Sequence, residues 1–178
     1  MNFKKWVVIA SIIGPTFSAF AQEGAKLAVR MDDMGAFHSV NKAVMDVYNN
    51  GISQSVELMP VGAWYPEAVK MLEYAPGLDV GIHLAITSEW ENVKWRPLTQ
   101  APSLTDERGY FYPMMKANPN YPGQSVAENG FDPAELEAEF RAQIERALKD
   151  VPRASHLTGH MAVSYTHLRA HETVLDLV

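Results

Sequence analysis

Short apolar runs alternate along this chain with segments whose apolar residues recur at helical spacing. The short runs predict four strands, at residues 27–31, 53–59, 78–83 and 155–158. The helical spacing predicts three helices, at residues 36–50, 64–74 and 133–149. Strands that alternate with helices pair in parallel through right-handed crossovers. The pattern therefore predicts an α/β fold with parallel strands.

Two adjacent aspartates, Asp32 and Asp33, follow the first predicted strand. In α/β folds the carboxyl ends of parallel strands carry the chemistry. Two neighbouring carboxylates repel each other, and a divalent metal ion relieves this when one carboxylate binds the ion and the other accepts a proton. The alternative is a turn or a helix cap, since aspartate is common in both and Gly35 follows.

Two histidines occupy corresponding places later in the chain. His83 ends the third predicted strand, and His160 lies just beyond the fourth. A single histidine at such a place is often only a hydrogen-bonded residue of the core or its rim. Imidazole and carboxylate together suit a divalent ion such as zinc, and three protein ligands leave one position for water.

Three short motifs together resemble those of the YdjC-like (ChbG) family of carbohydrate deacetylases. The first is Asp-Asp-Met-Gly at residues 32–35, and the second is Gly-Ile-His-Leu at residues 81–84. The third is His-Leu-Thr-Gly-His at residues 156–160, and residues 51–55 fit the family's second strand. The resemblance covers residues 27–160, although Arg30 and Met34 depart from the family's usual Asn and Phe.

The resemblance implies the N-terminal half of an irregular (β/α) TIM-like barrel, because four strands do not close a barrel. It also implies a metal-dependent hydrolase that removes acetyl groups from N-acetylated sugars or oligosaccharides. Asp33, His83 and His160 would hold a divalent ion, Mg²⁺ or Zn²⁺. Asp32 would accept the proton of the attacking water, unless the two aspartates exchange roles. His156 would orient a metal ligand or hydrogen-bond the sugar.

Two other functions remain open on the sequence alone. One is an exported carbohydrate-binding protein that keeps the fold without turnover. The other is a different metal-dependent hydrolase, such as a phosphoesterase, although those sites usually bridge two ions with more carboxylates and histidines. A serine hydrolase is not supported, because the chain has no Gly-x-Ser-x-Gly sequence.

Residues 85–130 form a long segment without clear periodicity, rich in proline, glycine and aromatic residues. Loops of this length in compact domains are usually functional or disordered. The aromatic residues are Trp90, Trp95, Tyr110, Phe111, Tyr112 and Tyr121. They fit two interpretations equally: exposed rings that bind the apolar faces of sugars, or a small satellite core.

The N-terminus has the pattern of an export signal. Lys4 and Lys5 precede an apolar stretch at residues 6–13, and Ala-Phe-Ala at residues 19–21 is a small-x-small cleavage site. We therefore expect residues 1–21 to be a signal peptide and the protein to be periplasmic or extracellular. The apolar stretch is too short for a permanent membrane span.

The C-terminal segment is expected to be non-native. Residues 163–173 resemble a translated sequencing adapter, so the family domain is expected at residues 22–162 and a foreign tail at residues 163–178. The alternative is a metal motif, since His167 and His171 would share one face of a helix.

Charge and composition exclude further classes. The formal net charge is −6 and no basic stripe occurs, so a nucleic-acid partner is not expected. The chain has no cysteine, and thus no disulfide holds the fold. The partner expected from the resemblance is an acetylated sugar substrate.

Overall fold

The computed structural model describes residues 27–89 and 91–161. It contains one parallel sheet in the order β1–β2–β3–β4, which confirms the predicted α/β fold with parallel strands. The strands are β1 (Arg30–Met34), β2 (Ser55–Leu58), β3 (Asp79–Leu84) and β4 (His156–Gly159). The helices are α1 (His38–Asn50), α2 (Tyr65–Glu73), α3 (Val126–Asn129) and α4 (Pro133–Asp150). This arrangement is that of half a TIM-like barrel.

The first strand differs from its prediction. The apolar run predicts a strand at residues 27–31, but β1 starts at Arg30 and ends at Met34. The reason is that β2 starts at Ser55, directly opposite Arg30, so the hydrogen-bonded ladder begins there. Leu27, at the start of the predicted strand, is 86% exposed. The two aspartates thus lie inside β1 and not after it.

A β-bulge interrupts β1 at these aspartates. Met31 pairs with Val56 and Met34 pairs with Leu58, so two residues of β1 lie opposite the single residue between them on β2. Met31 and Met34 both pack against the apolar cluster under the helices. Asp32 and Asp33 therefore both belong to the opposite, helix-free face. Asp33 has a positive φ of 66°, which is the local cost of the bulge.

Apolar side chains of the sheet point toward the helices and form the core. One cluster packs β1, β2 and the start of β3 against α1 and α2, through Val44, Val56, Leu58, Tyr65, Ala68, Leu72 and Val80. A second cluster packs the end of β3 against α4 and the long loop, through Ile82, Leu84, Trp95, Phe111, Phe140 and Ile144. The core on this side leaves the other face of the sheet for polar residues.

Helix α4 fixes the long loop of residues 85–130 to the sheet. The Asp132 carboxylate caps the helix by accepting a hydrogen bond from the Ala134 amide at 2.8 Å, and Pro133 fits the first turn. One turn and a half further on, the fully buried Glu139 accepts hydrogen bonds from the amides of Leu98 and Thr99. The loop is irregular but firmly attached.

The aromatic residues of this loop divide between the two interpretations. Trp95 and Phe111 are buried members of the second core cluster, so these two rings pack in a core that also includes β3 and α4 and are not exposed. Tyr121 is 50% exposed, and for this ring the sugar-binding interpretation stays a prediction. Trp90 lies outside the described residues.

The predicted signal peptide at residues 1–21 and the predicted foreign tail with His167 and His171 also lie outside the described residues. Across residues 27–89 and 91–161, none of the helices has the length and apolar character needed to cross a membrane.

Candidate metal centre

The helix-free face of the sheet carries a row of polar side chains. Residues paired in a parallel ladder share a face, and Glu57 of β2 pairs with Gly81 of β3, which pairs with His156 of β4. One step further along the sheet, His83 pairs with Thr158. These positions alternate with the apolar residues of the core, as expected for the interior face of a barrel wall.

Three of the predicted site residues meet at the carboxyl ends of the strands. Asp33 comes from the bulge of β1, His83 from β3, and His160 from the residue that follows β4. Asp33 Oδ1 lies 3.0 Å from His160 Nδ1 and 3.3 Å from His83 Nε2. One ligand atom from each residue lies within 4.8 Å of the other two. The structure therefore brings together the three residues that the sequence predicts as metal ligands.

The residues present fit a divalent ion. Zinc ligands bound at about 2.1 Å in tetrahedral geometry lie roughly 3.4 Å apart, close to the separations seen here. His83 and His160 are only 3% and 4% exposed, whereas the Asp33 side chain is 42% exposed. The cluster is therefore open to solvent on the side of Asp33.

Electrostatics keep the Asp33 carboxylate ready to bind an ion. Hydrogen bonding with His160, and then with His83, holds the pKa of Asp33 well below its usual range. Partial burial acts in the opposite direction, but it is outweighed. The carboxylate is thus ionised at neutral pH, as a metal ligand must be.

The remaining ring nitrogen of each histidine has its own partner. His160 Nε2 lies 3.1 Å from Glu89 Oε1, and His83 Nδ1 lies 2.8 Å from Thr158 Oγ1. The Trp95 ring also packs edge-on against His160, with ring centroids 5.6 Å apart. Metal-binding histidines typically donate their second N–H in this way, which fixes the orientation of the ring.

Asp32 lies beside Asp33 in the bulge and makes a two-point ion pair. Its carboxylate oxygens lie 2.8 Å and 3.3 Å from the guanidinium nitrogens of Arg30. The Asp32 side chain is 44% exposed. Its role as the proton acceptor stays a prediction.

His156 lies at the start of β4, away from the carboxyl end where the three ligand residues meet. Its Nε2 lies 2.8 Å from the Glu57 carboxylate, and its Nδ1 lies 2.8 Å from the Ser155 hydroxyl. Its contact with Glu57 connects it to His83 through Thr158. Whether it orients a ligand or binds sugar stays a prediction.

The sequence analysis missed Glu57, Glu89 and Thr158. Glu57 had a signal: a charged residue between Val56 and Leu58 must face away from the apolar side of the strand. Glu89 lies in the long loop, where no periodicity indicates which side chains point toward the strand ends. Thr158 reads as an ordinary strand residue.

Comparison with known proteins places the chain in a family. The sequence model described as YdjC-like protein matches residues 26–178. The chain belongs to the YdjC-like family. This confirms the resemblance carried by the three short motifs.

Curated members of the YdjC-like family are similar to this chain over most of its length. A carbohydrate deacetylase of Thermus thermophilus is 36% identical over 134 residues, which are 75% of this chain and 43% of that protein. A carbohydrate deacetylase of Brevibacillus brevis is 31% identical over 154 residues, which are 86% of this chain and 54% of that protein. The chain thus spans about half the length of these relatives.

A solved structure supports the same assignment. A putative cellobiose-phosphate cleavage protein from Enterococcus faecalis matches with a TM-score of 0.69 at 25% identity. The match covers 84% of this chain and 54% of that one. The four strands of this chain therefore correspond to about half of a YdjC-like fold, as the sequence analysis expected.

Proposed function

We propose that the full-length protein is a metal-dependent hydrolase that removes acetyl groups from N-acetylated sugars or oligosaccharides. The observation that carries this proposal is the convergence of Asp33, His83 and His160 at the strand ends. The relatives named carbohydrate deacetylases support the same reaction class. Zn²⁺ or Mg²⁺ is the proposed ion, and the histidine-rich ligand set favours zinc.

The chain's own residues divide the work of amide hydrolysis. Asp33, His83 and His160 would hold the ion, which when bound would polarise the acetyl carbonyl and activate water. Asp32 accepts the proton of the attacking water as the general base. Its ion pair with Arg30 sets the direction of the carboxylate before substrate binds.

We also propose that the protein is exported to the periplasm or beyond. The support is the sequence of residues 1–21, with two lysines, an apolar stretch and a small-x-small site. The proposed substrate fits this location, because acetylated sugar polymers are found outside the cytoplasm.

The test is an acetate-release assay on the full-length protein. Purified protein, stripped of metal and reloaded with zinc or magnesium, is incubated with N-acetylglucosamine oligomers. We expect acetate only from the reloaded protein. Ion binding without acetate from any acetylated sugar would overturn the hydrolase proposal and favour a carbohydrate-binding protein. Release of phosphate from sugar phosphates instead would favour a phosphoesterase.

A further inference from the structure

Glu57 is a fully buried carboxylate that the proposed chemistry does not use. It lies on the helix-free face of β2 and is 0% exposed. Burying a charged group is costly unless every polar atom is paired. The carboxylate must therefore be held by specific partners, and those partners connect it to the metal centre.

Both oxygens of Glu57 are occupied. Oε1 lies 2.8 Å from His156 Nε2 and 3.6 Å from Arg30 Nε. Oε2 accepts a hydrogen bond of 2.5 Å from the Thr158 hydroxyl. The His156 and Arg30 side chains on Oε1 fix the carboxylate so that Oε2 is directed at Thr158.

The adjacent strand has made space for this carboxylate. A Cβ atom at Gly81 would overlap Glu57 Oε2 and His156 Nε2. A larger residue at position 81 would have to displace the Glu57 and His156 side chains from these positions. The glycine of the Gly-Ile-His segment and the glutamate of β2 form one structural unit.

The donor and the acceptor of each hydrogen bond between Glu57 and His83 can be assigned in turn. A carboxylate has no proton to give, so the single hydroxyl proton of Thr158 is donated to Glu57. Thr158 Oγ1 can then only accept from His83 Nδ1, at 2.8 Å. His83 Nδ1 must therefore carry a proton, so Nε2, the nitrogen that faces Asp33 at 3.3 Å, is the one that can bind an ion.

We propose that Glu57 and Thr158 are positioning residues that fix His83 in the Nδ1–H tautomer and so present Nε2 to the metal. This inference rests on the proposed function, because it assigns His83 as a ligand. It extends that function by two residues that do not touch the ion. Thr158 acts directly on His83, and Glu57 acts through Thr158.

The first test compares Thr158→Val with Thr158→Ser in the full-length protein. Valine keeps the shape of threonine but removes the hydroxyl, whereas serine keeps the hydroxyl. We expect Thr158→Val to bind zinc about 10–100-fold more weakly by calorimetry, and Thr158→Ser to stay near wild type. Equal affinities for the two variants and wild type would overturn the proposal.

A spectroscopic readout separates positioning from a merely structural role. In ¹⁵N-histidine-labelled, metal-free protein under mildly alkaline conditions, imidazole ¹⁵N shifts show which ring nitrogen carries the proton. We expect His83 Nδ1 to carry a proton in wild type and Thr158→Ser, and to lose it in part of the Thr158→Val molecules, where the acceptor beside Nδ1 is gone. A wild-type His83 without a proton on Nδ1 would contradict the inference.

The second test is Glu57→Gln, which keeps the shape of the side chain. A carboxylate accepts from both Thr158 and His156, but an amide accepts on one side only and donates on the other. We expect some Thr158 hydroxyls to turn toward His83, with a growing Nε2–H population and weaker zinc binding. An unchanged tautomer and affinity in a variant that unfolds at the wild-type temperature would remove Glu57 from the role.

The proposed metal centre and the positioning role can be refuted separately. Wild-type protein that binds no zinc would refute the proposed metal centre, while the tautomer of His83 would still test the hydrogen-bond chain. If wild type binds zinc normally and the His83 tautomer is the same in wild type and Thr158→Val, only the positioning role is refuted.

Discussion

His160 Nδ1 lies 3.0 Å from Asp33 Oδ1, although the two residues belong to opposite edges of the sheet. In a flat sheet the outer strands of a set of four are about 14 Å apart, three spacings of about 4.8 Å. The direct contact between side chains from β1 and from the end of β4 therefore requires the sheet to curve. This is the curvature of a barrel wall, and it brings the candidate metal ligands together.

The first prediction concerns the ligands. His83→Ala combined with His160→Ala should abolish zinc binding by the full-length protein, because the single remaining ligand, Asp33, cannot hold the ion. Metal content after dialysis measures this. The control is His38→Ala, which removes an exposed histidine of α1 that bonds to Glu67. Unchanged occupancy in the double variant would refute the site.

The second prediction separates the two aspartates. Asp32→Asn should lower the rate of acetate release by about 10²–10⁴-fold while zinc stays bound, since a general base contributes that much. Asp33→Asn should lose the metal as well. Acetate assays and metal analysis on the same preparations distinguish the two. Near-normal turnover in Asp32→Asn would show that another group accepts the proton.

The third prediction concerns Glu89, which lies 3.1 Å from His160 Nε2. Glu89→Gln should weaken zinc binding on the order of 10-fold, because the charged acceptor that orients the His160 ring is lost. Glu91→Gln is the matched control, since Glu91 is an exposed residue of the same loop. If both variants bind zinc equally well, Glu89 has no part in the centre.

The fourth prediction is a pH dependence of stability. Tyr65 is 1% exposed and donates a hydrogen bond of 3.1 Å to Asp150, and burial together with the Asp150 charge raises its pKa well above the usual range. A raised pKa stabilises the folded state at neutral pH, and this contribution falls as pH rises above about 10, where the unfolded tyrosine ionises.

Tyr65→Phe should accordingly lower the free energy of unfolding by about 1 kcal/mol at neutral pH. The difference from wild type should shrink as the pH is raised, because only wild type loses stability through this group. Urea unfolding over a pH series measures both effects. Tyr74→Phe, at a residue that is 76% exposed, should show neither.

The fifth prediction concerns residues 22–178 expressed alone, which we expect to aggregate. Within the described residues β4 pairs with β3 and forms an edge of the sheet, and open edges promote aggregation. Light scattering and thermal unfolding measure this. A soluble monomer with cooperative unfolding would contradict the expectation. In residues 22–178, weaker zinc binding after His167→Ala or His171→Ala would contradict the expectation that the tail is foreign.

The sequence predicted the fold well where local pattern decides it. Helical spacing located α1, α2 and α4, and alternation with apolar runs predicted the parallel order. The predicted start of β1 was wrong, because the strand begins where Arg30 can pair with Ser55 of β2. No apolar pattern within a single strand contains that information.

The sequence predicted the candidate metal ligands but not the residues that form the hydrogen bonds around them. Asp33 and His83 lie near the ends of β1 and β3 and His160 follows β4, and chemistry concentrates at such strand ends in α/β folds. Glu57, Thr158 and Glu89 depend on which side chains meet across strands and loops. Such pairings arise from register and curvature, which only the folded chain defines.

The bulge in β1 makes the number of residues between Met31 and Met34 as important as their identity. A one-residue deletion there would restore regular pleating, with both methionines still on the apolar side and a single aspartate between them on the opposite face. Only one carboxylate would then be left for the centre. The presence of two carboxylates on this face thus depends on the extra residue of the bulge, and deletion of one residue would remove it.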